Sequence, residues 1–310
     1  MTGPVFVFPG QGAQKVGMGK QLAEAYPESV GAVYATADAV LGFSVSKLCF
    51  EGPDEALGQT ENTQPALFAT SVATLSAVRA AGIEARAAAG HSVGEYAALV
   101  AAGAITFEDA LPVVRLRGEL MAAAVAGNPG AMAAIIGLPA SEVKAICNLA
   151  SEHGTVEPAN INGPTQVVIS GETAAVMAAM ELAKERGGRA IRLNVSAPFH
   201  CSLMEPVRSE MEPALAALPI TDPAIPVVAN ATGRYVTTAN EVRSALLDQL
   251  ASPVRWTDSV ALLVREGLNS CIEIGPGRVL SGLIRSIDPD VRTTTVSTPG
   301  DIEQLIAQEI

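Results

Sequence analysis

Five residues, Gly90-His91-Ser92-Val93-Gly94, constrain this chain more than any other feature. They fit Gly-x-Ser-x-Gly, the pattern of a sharp turn that carries a serine from the end of a strand to the start of a helix. A serine hydroxyl is a poor nucleophile, so it must be presented to a base and to oxyanion donors at once. A strained strand–turn–helix does this, and the small residues at 90 and 94 let the turn close. The pattern predicts a strand over Arg86–Ala89 and a helix over Glu95–Ala102. The strand is predicted against local propensity, because alanine favours helix.

The surrounding sequence supports an α/β fold. Val5-Phe6-Val7-Phe8 is a continuous apolar run of the kind found in buried parallel strands, and it ends in the turn-rich Pro9–Gln14 segment. Helical spacing follows over Gly19–Tyr26, Ala32–Leu41, Pro65–Ala81 and Leu111–Met121. The middle of the chain changes character. Met132–Ile136, Val156–Asn160, Gln166–Ser170 and Ala190–Val195 read as strands, with a turn at Ile161-Asn162-Gly163-Pro164. Helices are expected over Ser141–Ser151, with Ser141 as cap, and over Thr173–Arg186, stopped by Gly187-Gly188. That order is βαββαβ, a ferredoxin-like arrangement. The parent pattern then resumes with helices over Met204–Leu218, Glu241–Gln249 and Trp256–Glu266. Its strands are Ile225–Ala229 and Cys271–Ile274, and Ser297–Gly300 reads as a loop. The expected division is a parallel-sheet catalytic domain over 1–128 and 197–310, with an inserted subdomain over 129–196.

Composition removes several classes of function. A net charge of −12 argues against general nucleic-acid binding, which needs a basic footprint. No stretch reads as a membrane span or a signal peptide. The four cysteines, Cys49, Cys147, Cys201 and Cys271, form no Cys-x-x-Cys pair and read as reduced thiols of a cytoplasmic protein. Three dispersed histidines offer no metal-ligand spacing. Gly10-Gln11-Gly12 begins like a nucleotide-binding loop, but Lys15 stands where the third glycine is required, so a plain tight turn is expected.

If Ser92 is a nucleophile, its base is found among three histidines. His91 adjoins the serine and is expected to support the turn. His153 lies in the polar helix end Ser151-Glu152-His153-Gly154 and reads as a solvated surface residue. His200 sits in Pro198-Phe199-His200-Cys201, where the chain leaves the insertion and re-enters the parent fold, and crevices of that kind favour ligand sites. Cys201 is a rival nucleophile that no elbow presents. No acidic residue is marked as a third triad member; a backbone carbonyl or an amide side chain can orient the imidazole equally well.

Taken together, these segments resemble the malonyl-CoA:acyl carrier protein transacylases, discrete acyltransferases of fatty-acid synthesis related to the acyltransferase domains of polyketide synthases. The resemblance runs through Phe8–Gln14, Thr63-Gln64-Pro65-Ala66-Leu67, Gly90–Tyr96 and Arg115-Leu116-Arg117-Gly118. It continues through Asn162-Gly163-Pro164, Pro198-Phe199-His200, Gln249–Trp256 and Glu273–Gly277. Each motif is modest alone, and their joint order is specific.

The resemblance implies an α/β-hydrolase-like domain carrying a ferredoxin-like subdomain. It implies a Ser92–His200 dyad whose histidine is held by the backbone carbonyl of Gln249, and an oxyanion hole made by the N–H groups of Gln11 and Val93. It puts Arg117 opposite a malonyl carboxylate, and His91, Gln64, Asn162 and Phe199 on the substrate side, where the bulk of Phe199 would disfavour a 2-methyl branch. From helical pattern alone Arg117 reads as a surface residue. Malonyl-CoA and acyl carrier protein are the implied partners, with no cofactor and no metal, and the enzyme is expected to act as a monomer. An acidic carrier protein would need a local basic patch, for which Lys184, Arg186, Arg189 and Arg192 are candidates; a solvated helix end is the alternative. A discrete acyltransferase serving a polyketide synthase, or an esterase or thioesterase using the same dyad, is the rival reading.

Overall fold

A computed structural model describes residues 3–124, 130–195 and 197–309. The first segment holds β1 (Val5–Phe8), α1 (Lys20–Ala25), α2 (Ala32–Leu41), α3 (Val45–Glu51), α4 (Asp54–Gly58), α5 (Thr60–Ala80), β2 (Ala87–Gly90), α6 (Gly94–Ala101) and α7 (Phe107–Ala123). The middle segment holds β3 (Gly130–Ile136), α8 (Ala140–Ala150), β4 (Val156–Gly163), β5 (Gln166–Glu172), α9 (Thr173–Glu185) and β6 (Arg189–Arg192). The last segment holds α10 (Glu205–Ala217), β7 (Val227–Ala229), β8 (Arg234–Val236), α11 (Ala239–Ala251) and α12 (Trp256–Arg265). It ends with β9 (Ser270–Ile274), α13 (Val279–Ile287), β10 (Arg292–Val296) and α14 (Pro299–Glu309).

Two sheets result. One has the order β10-β9-β1-β2-β7-β8 and is parallel except for β8, which returns antiparallel to β7. The other, β4-β5-β3-β6, is antiparallel throughout, with α8 and α9 packed on it. The boundary expected at 128/129 falls within 125–129, outside the described residues, as does Ser196.

β1 lies at the centre of the parallel sheet, and its alternation sorts two cores. Phe6 and Phe8 face the side covered by α5, α6 and α7, while Val5 and Val7 face the side holding Trp256 and Leu280. The poor β-former Ala87-Ala88-Ala89 obeys the same rule: Ala88 joins the first core, Ala87 and Ala89 the second. Pairing on both edges, to β1 and β7, overrides alanine's helical preference.

Several expected boundaries shift for identifiable reasons. α5 begins at Thr60, with Pro65 inside it rather than at its start. Proline has no N–H for the Glu61 carbonyl, and Arg115 Nη1 takes that carbonyl instead at 2.8 Å. Ser141 is not a cap: α8 starts one residue earlier, after Pro139, and makes no side-chain capping bond. Asn162 and Gly163 lie on β4, so the turn is confined to Pro164 and Thr165. β6 stops at Arg192, short of Val195. Pro299 opens α14 where a loop was expected, in the first-turn position that proline tolerates.

Candidate active site

The site forms where β2 ends. Ser92 has φ 53°, a left-handed conformation that is strained for a residue with a Cβ. The strain is imposed by crowding on both sides: a Cβ at Gly90 would run into the backbone of Gly94, and a Cβ at Gly94 into the carbonyl of Phe8. Three further bonds fix the turn. His91 N donates to Phe8 O at 3.0 Å, and Ser92 N donates to Asn230 Oδ1 and Asn230 Nδ2 to Gly90 O, each at 2.6 Å. Asn230, just past β7, therefore clamps the elbow from the neighbouring strand.

His200 comes to Ser92 from the loop after the antiparallel sheet, also at positive φ, 59°. Its Nε2 lies 2.7 Å from Ser92 Oγ, and its Nδ1 lies 2.9 Å from the backbone O of Gln249, near the end of α11. A carbonyl only accepts, so Nδ1 carries the proton and the bare Nε2 accepts from the serine hydroxyl. That is the tautomer a general base needs. Burial pulls the imidazole pKa down to about 3, with the nearby positive charge of Arg117 adding to the effect. The ring is thus neutral at ordinary pH.

Arg117 lies on α7 and is 1 % exposed, not on the surface as its helical pattern alone suggests. Nη1 donates to Gln64 Oε1 at 2.5 Å, and Nη2 to Gln249 Oε1 at 2.8 Å and to Ser92 Oγ at 3.2 Å. Its Nε, fully buried, has no partner among the described residues. Among the described residues no carboxylate forms an ion pair with it. A guanidinium beside a serine hydroxyl, held by neutral amides and left short of acceptors, is prepared for an anion supplied from outside.

The remaining sequence candidates lie around this group. Gln11, Gln64, His91, Phe199 and His200 line a cavity of about 100 Å³ over Ser92, closed by Met121, Met132 and Leu193. His91 Nε2 meets Asn162 Oδ1 at 2.8 Å, a bridge from the elbow to β4; burial lowers the His91 pKa and keeps it neutral. Asn162 lines an adjoining groove of about 240 Å³, walled by Val279, Leu280 and Leu283. Gln11 Nε2 donates to Thr60 Oγ1 at 3.2 Å, which fixes the loop after β1. Among the described residues, no acceptor takes the backbone N–H of Gln11 or of Val93.

Other candidates lie apart. His153 is exposed beside Glu152. Cys201 is buried, donates to Pro198 O at 3.1 Å, and has its pKa pushed up to about 11, so its thiol is inert. Lys184 and Arg186 are engaged by Glu181 and Glu142, which leaves Arg189 and Arg192, both exposed on β6, as the open part of that basic patch.

Two residues escaped the sequence reading. Asn230 follows a strand with no motif to mark it. Glu95 stands three residues after Ser92 and accepts from Gln249 Nε2 at 2.7 Å and Asn230 N at 3.0 Å. A carboxylate on an otherwise apolar helix start was the available signal.

Comparison with known proteins gives a consistent picture. Residues 5–296 match the model of the acyl transferase domain. The chain is 46 % identical over 308 residues to the malonyl CoA-acyl carrier protein transacylase of Bacillus subtilis, covering 99 % of this chain and 97 % of the relative. It is 43 % identical to the Escherichia coli K12 protein of the same name, covering 96 % and 97 %. Among solved structures, the Coxiella burnetii malonyl CoA-acyl carrier protein transacylase superposes with TM-score 0.96 at 40 % identity, covering 99 % of this chain and 97 % of that one. A malonyl-transacylase solved with a type II PKS acyl-carrier protein gives 0.96 at 40 % identity, covering 99 % and 100 %. With residues 5–296 matched and relatives 43–46 % identical over nearly its whole length, the chain belongs to the acyl transferase domain family.

Proposed function

We propose that this chain moves a malonyl group from malonyl-CoA to the phosphopantetheine thiol of an acyl carrier protein, through a malonyl ester on Ser92. The observation that carries this reading is Arg117. It is buried, without a carboxylate partner among the described residues, and 3.2 Å from the hydroxyl that would hold the acyl group. The free carboxylate of a malonyl ester would complete its coordination, whereas acetyl would leave the guanidinium as it stands.

In the first half-reaction, Ser92 Oγ attacks the thioester carbonyl while its proton passes to His200 Nε2. The N–H groups of Gln11 and Val93 receive the oxyanion, and Val93 lies at the N-terminus of α6 where the helix dipole assists. The C–S bond breaks, and the His200 proton goes to the coenzyme A sulfur. The second half-reaction runs the same steps in reverse with the carrier thiol as nucleophile. A thioester is exchanged for an ester and back, so the group potential is conserved without ATP or a metal ion.

The apolar groove beside Asn162 and Leu280 suits the shared pantetheine arm, and Phe199, 7 % exposed beside His200, narrows the acyl pocket against a branched substituent. Arg189 and Arg192 are the part of the basic patch open to an acidic carrier protein. Residues 129–196 are then a substrate-side subdomain inserted in the catalytic domain. Serine, histidine, arginine and glutamine all come from one chain, which supports a functional monomer. No described helix is long and apolar enough to cross a membrane, and all four cysteines are free, which supports a cytoplasmic site of action.

Intact-mass measurement after exposure to malonyl-CoA tests the reading. The expected result is a gain of one malonyl group, stable until a thiol is added and missing in Ser92→Ala. Rapid loss of the ester to water would favour the thioesterase alternative.

A further inference from the structure

Gln249 serves two masters, and its orientation is set by a third group. Its backbone O accepts from His200 Nδ1, and its side-chain Oε1 accepts from Arg117 Nη2. Its Nε2 donates to Glu95 Oε2 at 2.7 Å and to Ser92 O at 3.1 Å. An ionised carboxylate only accepts hydrogen bonds, so Glu95 forces the NH₂ of Gln249 toward itself and the Oε1 toward Arg117. Glu95 also accepts from Asn230 N, and Asn230 clamps the elbow. One carboxylate, 1 % exposed, therefore stands behind base, guanidinium and nucleophile. It sits one amide away from Arg117, near enough to balance its charge and without occupying its donors.

We propose that Glu95 is a positioning and charge-balancing residue: it holds Gln249 for His200 and Arg117, and takes a proton from solvent when an acyl carboxylate lands on Arg117. This rests on the malonyl reading above. A second carboxylate would leave two anions around one buried guanidinium, and in a dry site one of them is protonated. The incoming group would contact Arg117 directly, whereas Glu95 reaches it through an amide, so Glu95 is the one that yields. Burial already raises its pKa to about 7. The other groups facing it do not compete. Tyr96, its neighbour on α6, is neutral with its phenol pushed up to about 12; α11 and the end of β7 present the uncharged Gln249 and Asn230; His200 faces Arg117 and is neutral.

The chemistry itself leaves no net proton. The Ser92 hydroxyl proton passes through His200 to the coenzyme A sulfur as the C–O bond forms and the C–S bond breaks, and coenzyme A departs as the thiol. Any proton taken from solvent during acylation therefore belongs to the protein.

The test mixes the intact enzyme with malonyl-CoA in weakly buffered solution with an indicator dye, and measures the malonyl ester by intact mass in the same samples. Near pH 7.5 about half a proton or more is expected per ester formed, falling toward zero near pH 5, where Glu95 is already protonated. Glu95→Gln should form ester with no uptake. Ester formation without proton uptake, or uptake that is independent of pH in the unmodified enzyme, overturns the proposal even if the variant does not fold. Uptake retained in Glu95→Gln overturns it as well. Absence of any ester on the unmodified enzyme instead removes the malonyl reading, and this proposal with it.

Discussion

Arg117→Ala is the perturbation that most directly weighs the proposed acyl selectivity. The guanidinium is 1 % exposed and donates to Gln64, Gln249 and Ser92, with Nε left over. Breaking a buried ion pair by removing one partner costs ~3–5 kcal/mol, because the other charge stays behind uncompensated. The substitution also strands the Oε1 atoms of Gln64 and Gln249, at ~1–3 kcal/mol each. That second cost is borne equally whatever acyl group is present, so it lowers stability and absolute rate and cancels in a ratio. Acylation of Ser92 by malonyl-CoA relative to acetyl-CoA should therefore fall at least ~100-fold, the lower end of the ion-pair loss converted at ~1.4 kcal/mol per decade. Single-turnover acylation followed by intact mass, with both thioesters competing, reads the ratio directly. Arg117→Lys should fall between, since an ammonium keeps the charge and loses the planar fork. An equal fall for both thioesters would reduce Arg117 to a structural residue and refute the reasoning.

Gln249→Glu should move selectivity in the same direction by another route: a carboxylate 2.8 Å from Arg117 Nη2 would satisfy the guanidinium internally, so malonyl acylation should drop more than acetyl acylation in the same competition assay. Asn230→Ala leaves the Ser92 N–H and the Gly90 carbonyl without partners and should cost about 2–4 kcal/mol in urea denaturation, with kcat reduced more than KM changes. Stability against pH has a compensating pair. His200, with its folded pKa lowered to about 3, makes the fold less stable as pH falls below the ordinary histidine range; Glu95, raised to about 7, makes it less stable as pH rises from the ordinary carboxylate range. Between pH ~4.5 and ~6.5 the two slopes, each up to ~1.4 kcal/mol per pH unit, oppose each other. Removing one in Glu95→Gln should expose the other as a stability loss of ~2–3 kcal/mol on acidification across that range, measured relative to the unmodified protein.

Local chemistry explains which parts of this site were legible in the sequence. The elbow was, because two glycines are demanded by backbone crowding and a five-residue pattern records it. His200 followed by elimination among three histidines. The burial of Arg117 was not, since a helix with Leu116 and Leu120 beside the arginine looks the same whether it faces solvent or a charged pocket; the difference lies in Gln64, 53 positions away, and in Gln249, 132 away. Asn230 and Glu95 were missed for the same reason. Their partners are distant in sequence, |i−j| 138 and 154, and no periodicity encodes such pairs. Secondary structure failed where tertiary partners replace local ones. Pro65 sits inside α5 because Arg115 satisfies the carbonyl it orphans, and the alanines of β2 are extended because strands flank them on both sides.

The missing triad acid and the unpaired arginine are two sides of one arrangement. A serine hydrolase commonly orients its histidine with a buried carboxylate, which also stabilises the imidazolium as it forms. Here Gln249 orients His200 through its backbone and touches Arg117 through its side chain. A carboxylate at that residue would pair with the guanidinium at once, and the site would hold its own anion in place of the substrate's. A carbonyl dipole gives the imidazole its tautomer without that competition. What the carbonyl does not give is charge to steady the imidazolium, and Arg117 repels it further. On the proposed reading, a malonyl carboxylate would replace the Glu95 charge, held one amide away, with one in direct contact with Arg117, so the base should gain strength when the correct acyl group is bound and remain weaker when it is not. On the proposed reading, one guanidinium would set both selectivity and base activation, and the lack of a carboxylate beside His200 among the described residues would let the substrate's own carboxylate act on both.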